Sequence, residues 1–281
     1  MTTPAPSPVG VSLPALRTLL VVDVQNDFCE GGALAVTGGA AVAERIADFL
    51  EDRAGEYRRV VLSRDWHEPS GTNGGHFALP PGEPDYLDSW PPHCVQGTPG
   101  ADYHPAIIRA LAELEERGIE VVHVVKGEGV PAYSLAEGRI ERVAASADGN
   151  APTPSDSSSL PDSPGLPDSP SLPGSLTVPD LLVGPIDVVG LAFDYCVAAS
   201  AKDAARANPV GPVRVLLDLT AAVHSEADPE TVAQLAAAGI TVADSDDPPG
   251  DGPGGYAAPT ADLLDPLEVA PGVSASSPKE S

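Results

Sequence analysis

The chain has 281 residues, a formal charge of −26, 42% apolar residues, 32 prolines and 28 glycines. A surface this acidic repels phosphate backbones and anionic head groups, which argues against nucleic-acid binding and against docking on a membrane surface. The apolar share suffices for a sizeable core, but the Pro and Gly content is too high for a chain that is folded throughout.

Residues 1–17 are Pro-rich and read as a flexible arm. TLLVVDV follows, a short β-branched run that suits a strand buried on both faces. AAVAERIADFLEDR carries Val42, Ile46, Phe49 and Leu50 at helical spacing. RRVVLS reads as a second strand. The stretch from Arg64 to His104 keeps no period and is rich in Pro, Gly and His, as functional loops often are. PAIIRALAELEERG reads as a helix stopped by Gly118, and IEVVHVVKG as a third strand. Residues 144–178 form a Pro/Ser-rich insertion without aromatics, expected to be disordered because it cannot bury enough apolar surface to offset its ordering entropy. PIDVVGLA is a fourth strand, DYCVAASAKDAARAN a helix of small residues, PVRVLLDL a fifth strand, DPETVAQLAAAG a helix and ITVAD a sixth strand. Residues 245–281 read as a disordered acidic tail.

Strands alternate with helices, and the valine-rich strands need cover on both faces. The expected fold is therefore one α/β domain over 18–244, with a doubly wound, mainly parallel sheet and helices on both faces. Three widely spaced cysteines, Cys29, Cys94 and Cys196, do not suit a disulfide framework, and no signal-peptide pattern precedes the first strand. No stretch approaches the ~20 apolar residues of a membrane span, so a cytoplasmic protein, monomer or homo-oligomer, is expected.

Functional residues in such sheets gather at the carboxyl ends of strands. Asp23, Asp65, Lys126 and Cys196 all fall at that edge. Cys196 opens a helix, whose N-terminal dipole lowers a thiol pKa and whose N–H groups, with Ala192, can receive an oxyanion; a packing cysteine in an Ala-rich helix is the equal alternative. Asp23 and Lys126 offset each other's burial cost as an ion pair. Beside a thiol, Asp23 can take its proton and later deliver it to a leaving amine. Asp65, His67, His76 and His93 are imidazole and carboxylate donors on one segment, a set that suits zinc, iron or manganese. Phe28, Trp90 and Tyr133 are candidate walls for a flat ring, with core packing the alternative.

Together these segments resemble the nicotinamidase/pyrazinamidase branch of the isochorismatase-like cysteine hydrolases. The resemblance runs from about Leu19 to Asp244, apart from the insertion, and is carried by VVDVQNDFCEGG, RDWHEP with GGHF, DSWPPHC, VVKGEGVPAYS and VVGLAFDYCV. It implies a six-stranded parallel sheet and a catalytic set of Asp23, Lys126 and Cys196. It also implies an oxyanion site at the backbone of Ala192 and Cys196, beside a cis Leu191–Ala192 peptide. One divalent metal would sit on Asp65, His67, His76 and His93, and the pocket would comprise Phe28, Trp90, Tyr133 and Tyr195. The implied reaction is hydrolysis of nicotinamide, and of pyrazinamide, through a Cys thioester. Tyr195 departs from the histidine common at that position in this branch, and the Pro-rich insertion stands where relatives carry an ordered helix. A carbamoyl or ureido amidase of the same superfamily, or a non-catalytic binding role, are the alternative readings.

Overall fold

A computed structural model describes residues 17–144, 176–208, 210–225 and 228–248. The strands are β1 (Arg17–Val22), β2 (Tyr57–Asp65), β3 (Glu120–Lys126), β4 (Arg139–Ala144), β5 (Ile186–Leu191), β6 (Val213–Ala221) and β7 (Thr241–Ala243). They form one sheet in the order β4-β3-β2-β1-β5-β6-β7, parallel except for the β3–β4 pair. The helices are α1 (Gly39–Arg53), α2 (Pro105–Glu116), α3 (Val178–Leu181), α4 (Ala198–Ala207) and α5 (Asp228–Ala237).

Strand alternation splits the apolar residues between two cores. In β1, Leu19 and Val21 face one way and join Val42, Ile46 and Leu50 of α1 and Ile107 and Leu114 of α2. Leu20 and Val22 face the other way and meet Leu181 of α3, Ala201 of α4 and Leu235 of α5. Every β1 residue is buried, which is why Leu19–Val22 form a continuous apolar run. Helix α2 begins where expected: Pro105 fills its first position and the His104 ring accepts the Ala106 N–H. Gly118, at φ 71°, closes its far end.

The sheet has seven strands rather than the six implied by the resemblance. The added β4 lies at the edge, antiparallel to β3. Its sequence, RIERVA, lacks a continuous apolar run because only one side of an edge strand is paired. Its charges pair locally instead, Glu141 with Arg64 at 2.6 Å and Arg139 with Glu128 at 2.7 Å.

The expected insertion at 144–178 falls mostly outside the described residues, as do the arm over residues 1–16 and the tail beyond residue 248. Their inner edges are ordered. Ala144 ends β4, and Val178, Leu181 and Leu182 are buried in the core against the sheet. Ser245 donates from N–H and hydroxyl to the Asp218 carboxylate, at 2.8 and 2.6 Å. Among the described residues no helix is long and apolar enough to cross a membrane.

Arg17 belongs to β1 rather than to the arm, because its guanidinium has a buried partner. Asp187 receives both Arg17 (2.6 and 2.6 Å) and Arg214 (2.7 and 3.0 Å), and the Tyr57 hydroxyl at 2.8 Å. Burial alone would raise the Asp187 carboxyl, but the two guanidinium groups outweigh it and hold the pKa below the ordinary carboxylate value. A carboxyl depressed in the folded state contributes stability above its unfolded pKa, and that stability is lost as pH falls through the folded value. Asp187→Asn removes this contribution and leaves two buried cations with one neutral partner. We expect a loss of about 3–5 kcal/mol at neutral pH, read by urea unfolding, with the gap to the parent closing below about pH 4.

Candidate active site

The chain runs outward from β1 to β2 and β3, then returns to β5 on the other side of β1. The crevice between β1 and β5 at their carboxyl ends is thus the topological switch point, where α/β sheets bind ligands. Asp23 follows β1 directly, Asp65 and Lys126 end β2 and β3, and Cys196 lies in the π turn Phe193–Val197 that leads into α4. The Leu191–Ala192 peptide beside it is cis.

The structure brings all four together. Lys126 Nζ stands 2.9 Å from Asp23 Oδ2, pairs with Asp65 Oδ1, donates to the Ala132 carbonyl at 3.2 Å and lies 3.6 Å from Cys196 Sγ. Asp23 sits at φ 49°, in the left-handed region that Asp tolerates better than most residues. There its Oδ1 accepts the Ser63 hydroxyl at 2.7 Å. The Gln25 amide grips the Asp65 backbone from both sides, accepting its N–H at 2.8 Å and donating to its carbonyl at 2.9 Å.

Burial and these neighbours set the charges. Burial would strip the Lys126 proton, but Asp23 and Asp65 outweigh it and keep the ammonium. Burial would likewise protonate Asp65; the Lys126 ammonium holds it ionised. Asp23 is raised, by burial first, and the Asp65 charge adds to it. The Cys196 thiol is pushed well above its ordinary value by burial, with the two carboxylates adding and Lys126 opposing. The expectation of a thiol lowered by a helix N-terminus is therefore corrected. Desolvation and two nearby carboxyl groups outweigh a dipole worth about half a charge, so the resting Cys196 is a neutral thiol.

The three histidines form a second cluster against the first. One ligating atom from each of His67, His76 and His93 lies within 4.8 Å of the others, and all three residues are buried. His67 Nδ1 faces the Gly127 carbonyl and His93 Nδ1 the Pro91 carbonyl, each at 2.8 Å. A carbonyl only accepts, so each Nδ1 carries a proton, which in the neutral ring leaves Nε2 as the ligating atom. Gly127 is required here, because a Cβ on it would stand 2.6 Å from the His67 ring. His67 Nε2 and His76 Nδ1 are buried with no hydrogen-bond partner among the described residues. Burial, then the neighbouring imidazoles, lower His76 to about 3, which keeps it neutral. Buried lone pairs without donors converging on one point are what a transition metal satisfies. Asp65, the fourth predicted ligand, divides its oxygens: Oδ1 faces Lys126, while Oδ2 stands 3.6 Å from His67 Nε2 and 3.8 Å from His93 Nε2.

Both clusters open into one cleft of about 410 Å³, lined by Phe28, Trp90, Tyr133, Ala192, Tyr195 and Cys196 together with His76, His93 and Asp65. The aromatic walls are tied together. Trp90 Nε1 donates to the Tyr133 hydroxyl at 3.1 Å and stands edge-on to Tyr195, with ring centroids 5.1 Å apart. Phe28 lies 5.4 Å from His93.

Leu34, Val36 and Val223 also line this cleft, and Ser63 and Gln25 support it, although sequence reasoning named none of them. For Ser63 a signal existed: it precedes Asp65 by two residues on β2, so both face the same side. Gln25 sits two residues past Asp23 within the same motif. Val223 carries no local sign of its role, because only the packing of its loop brings it to the cleft.

Residues 17–123 match the isochorismatase domain model. The chain is 42% identical over 221 residues to the nicotinamidase/pyrazinamidase of Mycobacterium tuberculosis, a match spanning 78% of this chain and 92% of that protein. The chain belongs to the isochorismatase-like hydrolases, in their nicotinamidase/pyrazinamidase branch. Solved structures of this branch share the fold. One from L. infantum, in complex with nicotinate, is 26% identical with a TM-score of 0.56, covering 82% of this chain and 93% of that one. The pyrazinamidase of Pyrococcus horikoshii, in complex with zinc, is 23% identical with a TM-score of 0.53, covering 82% and 99%. Like its relatives in this branch, the chain is a hydrolase acting on an amide C–N bond.

Proposed function

We propose that this hydrolase converts nicotinamide to nicotinic acid and ammonia, accepts pyrazinamide, and does so through a thioester at Cys196. The observation that carries the reading is the contact of Cys196 Sγ with Lys126 Nζ (3.6 Å), itself paired with Asp23 (2.9 Å), beside the cleft that His76 and His93 line.

The raised pKa values of Asp23 and Cys196 leave the thiol proton in place until substrate arrives. Asp23 then takes that proton as Sγ bonds to the amide carbonyl carbon, and the adjacent Lys126 ammonium balances the negative charge formed at sulfur. The backbone N–H groups of Ala192 and Cys196 receive the oxyanion. Asp23 returns the proton to the amide nitrogen, the C–N bond breaks and ammonia leaves. Water attacks the thioester, Asp23 takes a proton from it, and the thiol reforms as nicotinic acid departs. Phe28, Trp90, Tyr133 and Tyr195 hold the flat ring and exclude water.

His67, His76 and His93, with Asp65, would hold one divalent ion (zinc, iron or manganese), supplying a Lewis acid that anchors a ring nitrogen. Removing that ion by chelation should lower turnover of nicotinamide by at least tenfold, and adding it back should restore the rate. The deciding experiment is ammonia release from nicotinamide with metal analysis of the same sample. Metal-free protein that prefers a non-aromatic carbamoyl or ureido amide would replace this reading with another amidase of the superfamily.

A further inference from the structure

Beside the imidazole cluster, one carboxylate ties the loop after β1 to the loop that carries His93. Asp27 accepts the Cys94 N–H on Oδ2 at 2.7 Å and the Ala33 N–H on Oδ1 at 3.0 Å. Its own carbonyl accepts the Leu34 N–H at 2.9 Å. Next to it, Asn26 donates its side-chain amide to the Pro99 carbonyl at 2.8 Å and its backbone N–H to Asp102 at 3.0 Å. Both Asp27 oxygens are thus committed to main chain, so Asp27 is no ligand itself. It is flanked by functional residues: Phe28 follows it directly, and Cys94 follows His93.

The fit is tight on the far side as well. A Cβ on Gly100 would overlap the Asp27 carboxylate. Cys94 adopts φ 47°, a conformation that costs a non-glycine residue about 1 kcal/mol and persists only where neighbours hold it. A charge-assisted hydrogen bond to its N–H is such a hold. Since Phe28 and His93 both line the cleft, with rings 5.4 Å apart, whatever fixes Asp27 against Cys94 fixes the pocket wall against the imidazole cluster.

We propose that Asp27 is a positioning residue that sets His93 for metal and Phe28 for the substrate ring at once, with Gly100 leaving the room it needs. This rests on the metal reading above. Asp27→Asn replaces one accepting oxygen by an NH2 group that cannot take an N–H. Gly100→Ala displaces the carboxylate without changing any of its partners, and keeps the test open should Asp27→Asn not fold.

Metal-stripped parent and both variants are titrated with zinc alone against a chromogenic chelator, and kcat and KM for nicotinamide are measured at saturating zinc. Zinc affinity should fall by about 10–100-fold in both variants, with KM raised and kcat much less changed. Folded variants that bind zinc and nicotinamide like the parent, with only a lower melting temperature, would reduce Asp27 to a structural turn and overturn the proposal. A parent chain that takes up no zinc would sink the metal reading, and this inference with it.

Discussion

Cys196→Ala should release ammonia from nicotinamide at least 10⁴-fold more slowly than the parent while keeping the fold, since removing a covalent nucleophile leaves only binding and oxyanion stabilisation. The residue is buried, at 7% exposure, in the apolar cluster that also holds Phe193 and Val197, and Ala keeps its Cβ there and loses only the sulfur. Its removal should therefore cost about 1 kcal/mol or less of stability. Cys196→Ser keeps an oxygen in the same place but offers Asp23 a far weaker acid, so it should be nearly as inactive. Trapping supplies an independent check: acid-quenched parent enzyme should carry a nicotinoyl adduct on Cys196 by mass spectrometry, and the variant none. Undiminished ammonia release by Cys196→Ala would end the thioester mechanism.

Lys126→Met should damage both fold and turnover, and the two effects can be separated. Lys126 is the ammonium that faces both buried carboxylates, Asp23 and Asp65. Removing one member of a buried ion cluster leaves uncompensated charge, worth about 3–5 kcal/mol. Without the ammonium, burial and mutual repulsion raise Asp23 further and release Asp65 from its depressed value. A carboxyl raised in the folded state is tolerated below its unfolded pKa and becomes destabilising as pH climbs past it. The stability deficit of Lys126→Met should accordingly shrink from pH 7 toward pH 4, at higher pH than the deficit of Asp187→Asn, which closes only where the depressed Asp187 carboxyl of the parent takes up its proton. Adding Asp65→Asn should recover part of the stability, because Asp23 alone can take up a proton, but none of the activity. Denaturant unfolding across that pH range measures the first effect, and ammonia release the second. A pH-independent deficit would show that Lys126 is not what neutralises the pair.

How much of this was legible beforehand differs from residue to residue. Asp23, Asp65 and Lys126 were visible as polar residues ending apolar strand-like runs, because a parallel strand must be apolar to its last turn and chemistry begins where it stops. Strand β4 was not visible, since an edge strand between charged neighbours needs no continuous apolar pattern. The histidines were visible as donors crowded into one irregular loop, yet their geometry was not. The carbonyls of Gly127 and Pro91 orient two of the rings, and Gly127 comes from beyond that loop.

Cys196 shows where the boundary lies. Its position at a strand end, opening a helix, is a local property, and the sequence by itself determined it, along with the alternation of strands and helices and the resemblance to an amidase family. Local reading also suggested an acidic thiol. Only the tertiary structure decided otherwise, by burying the sulfur and setting Asp23 and Asp65 beside it with one ammonium shared among them. The same holds for the divided Asp65 carboxylate and for Asp27 reaching Cys94. Hydrophobic periodicity acts between neighbours in the chain and can be read along it. Desolvation and Coulomb terms depend on distances in space between residues far apart in sequence, and those exist only once the sheet has formed.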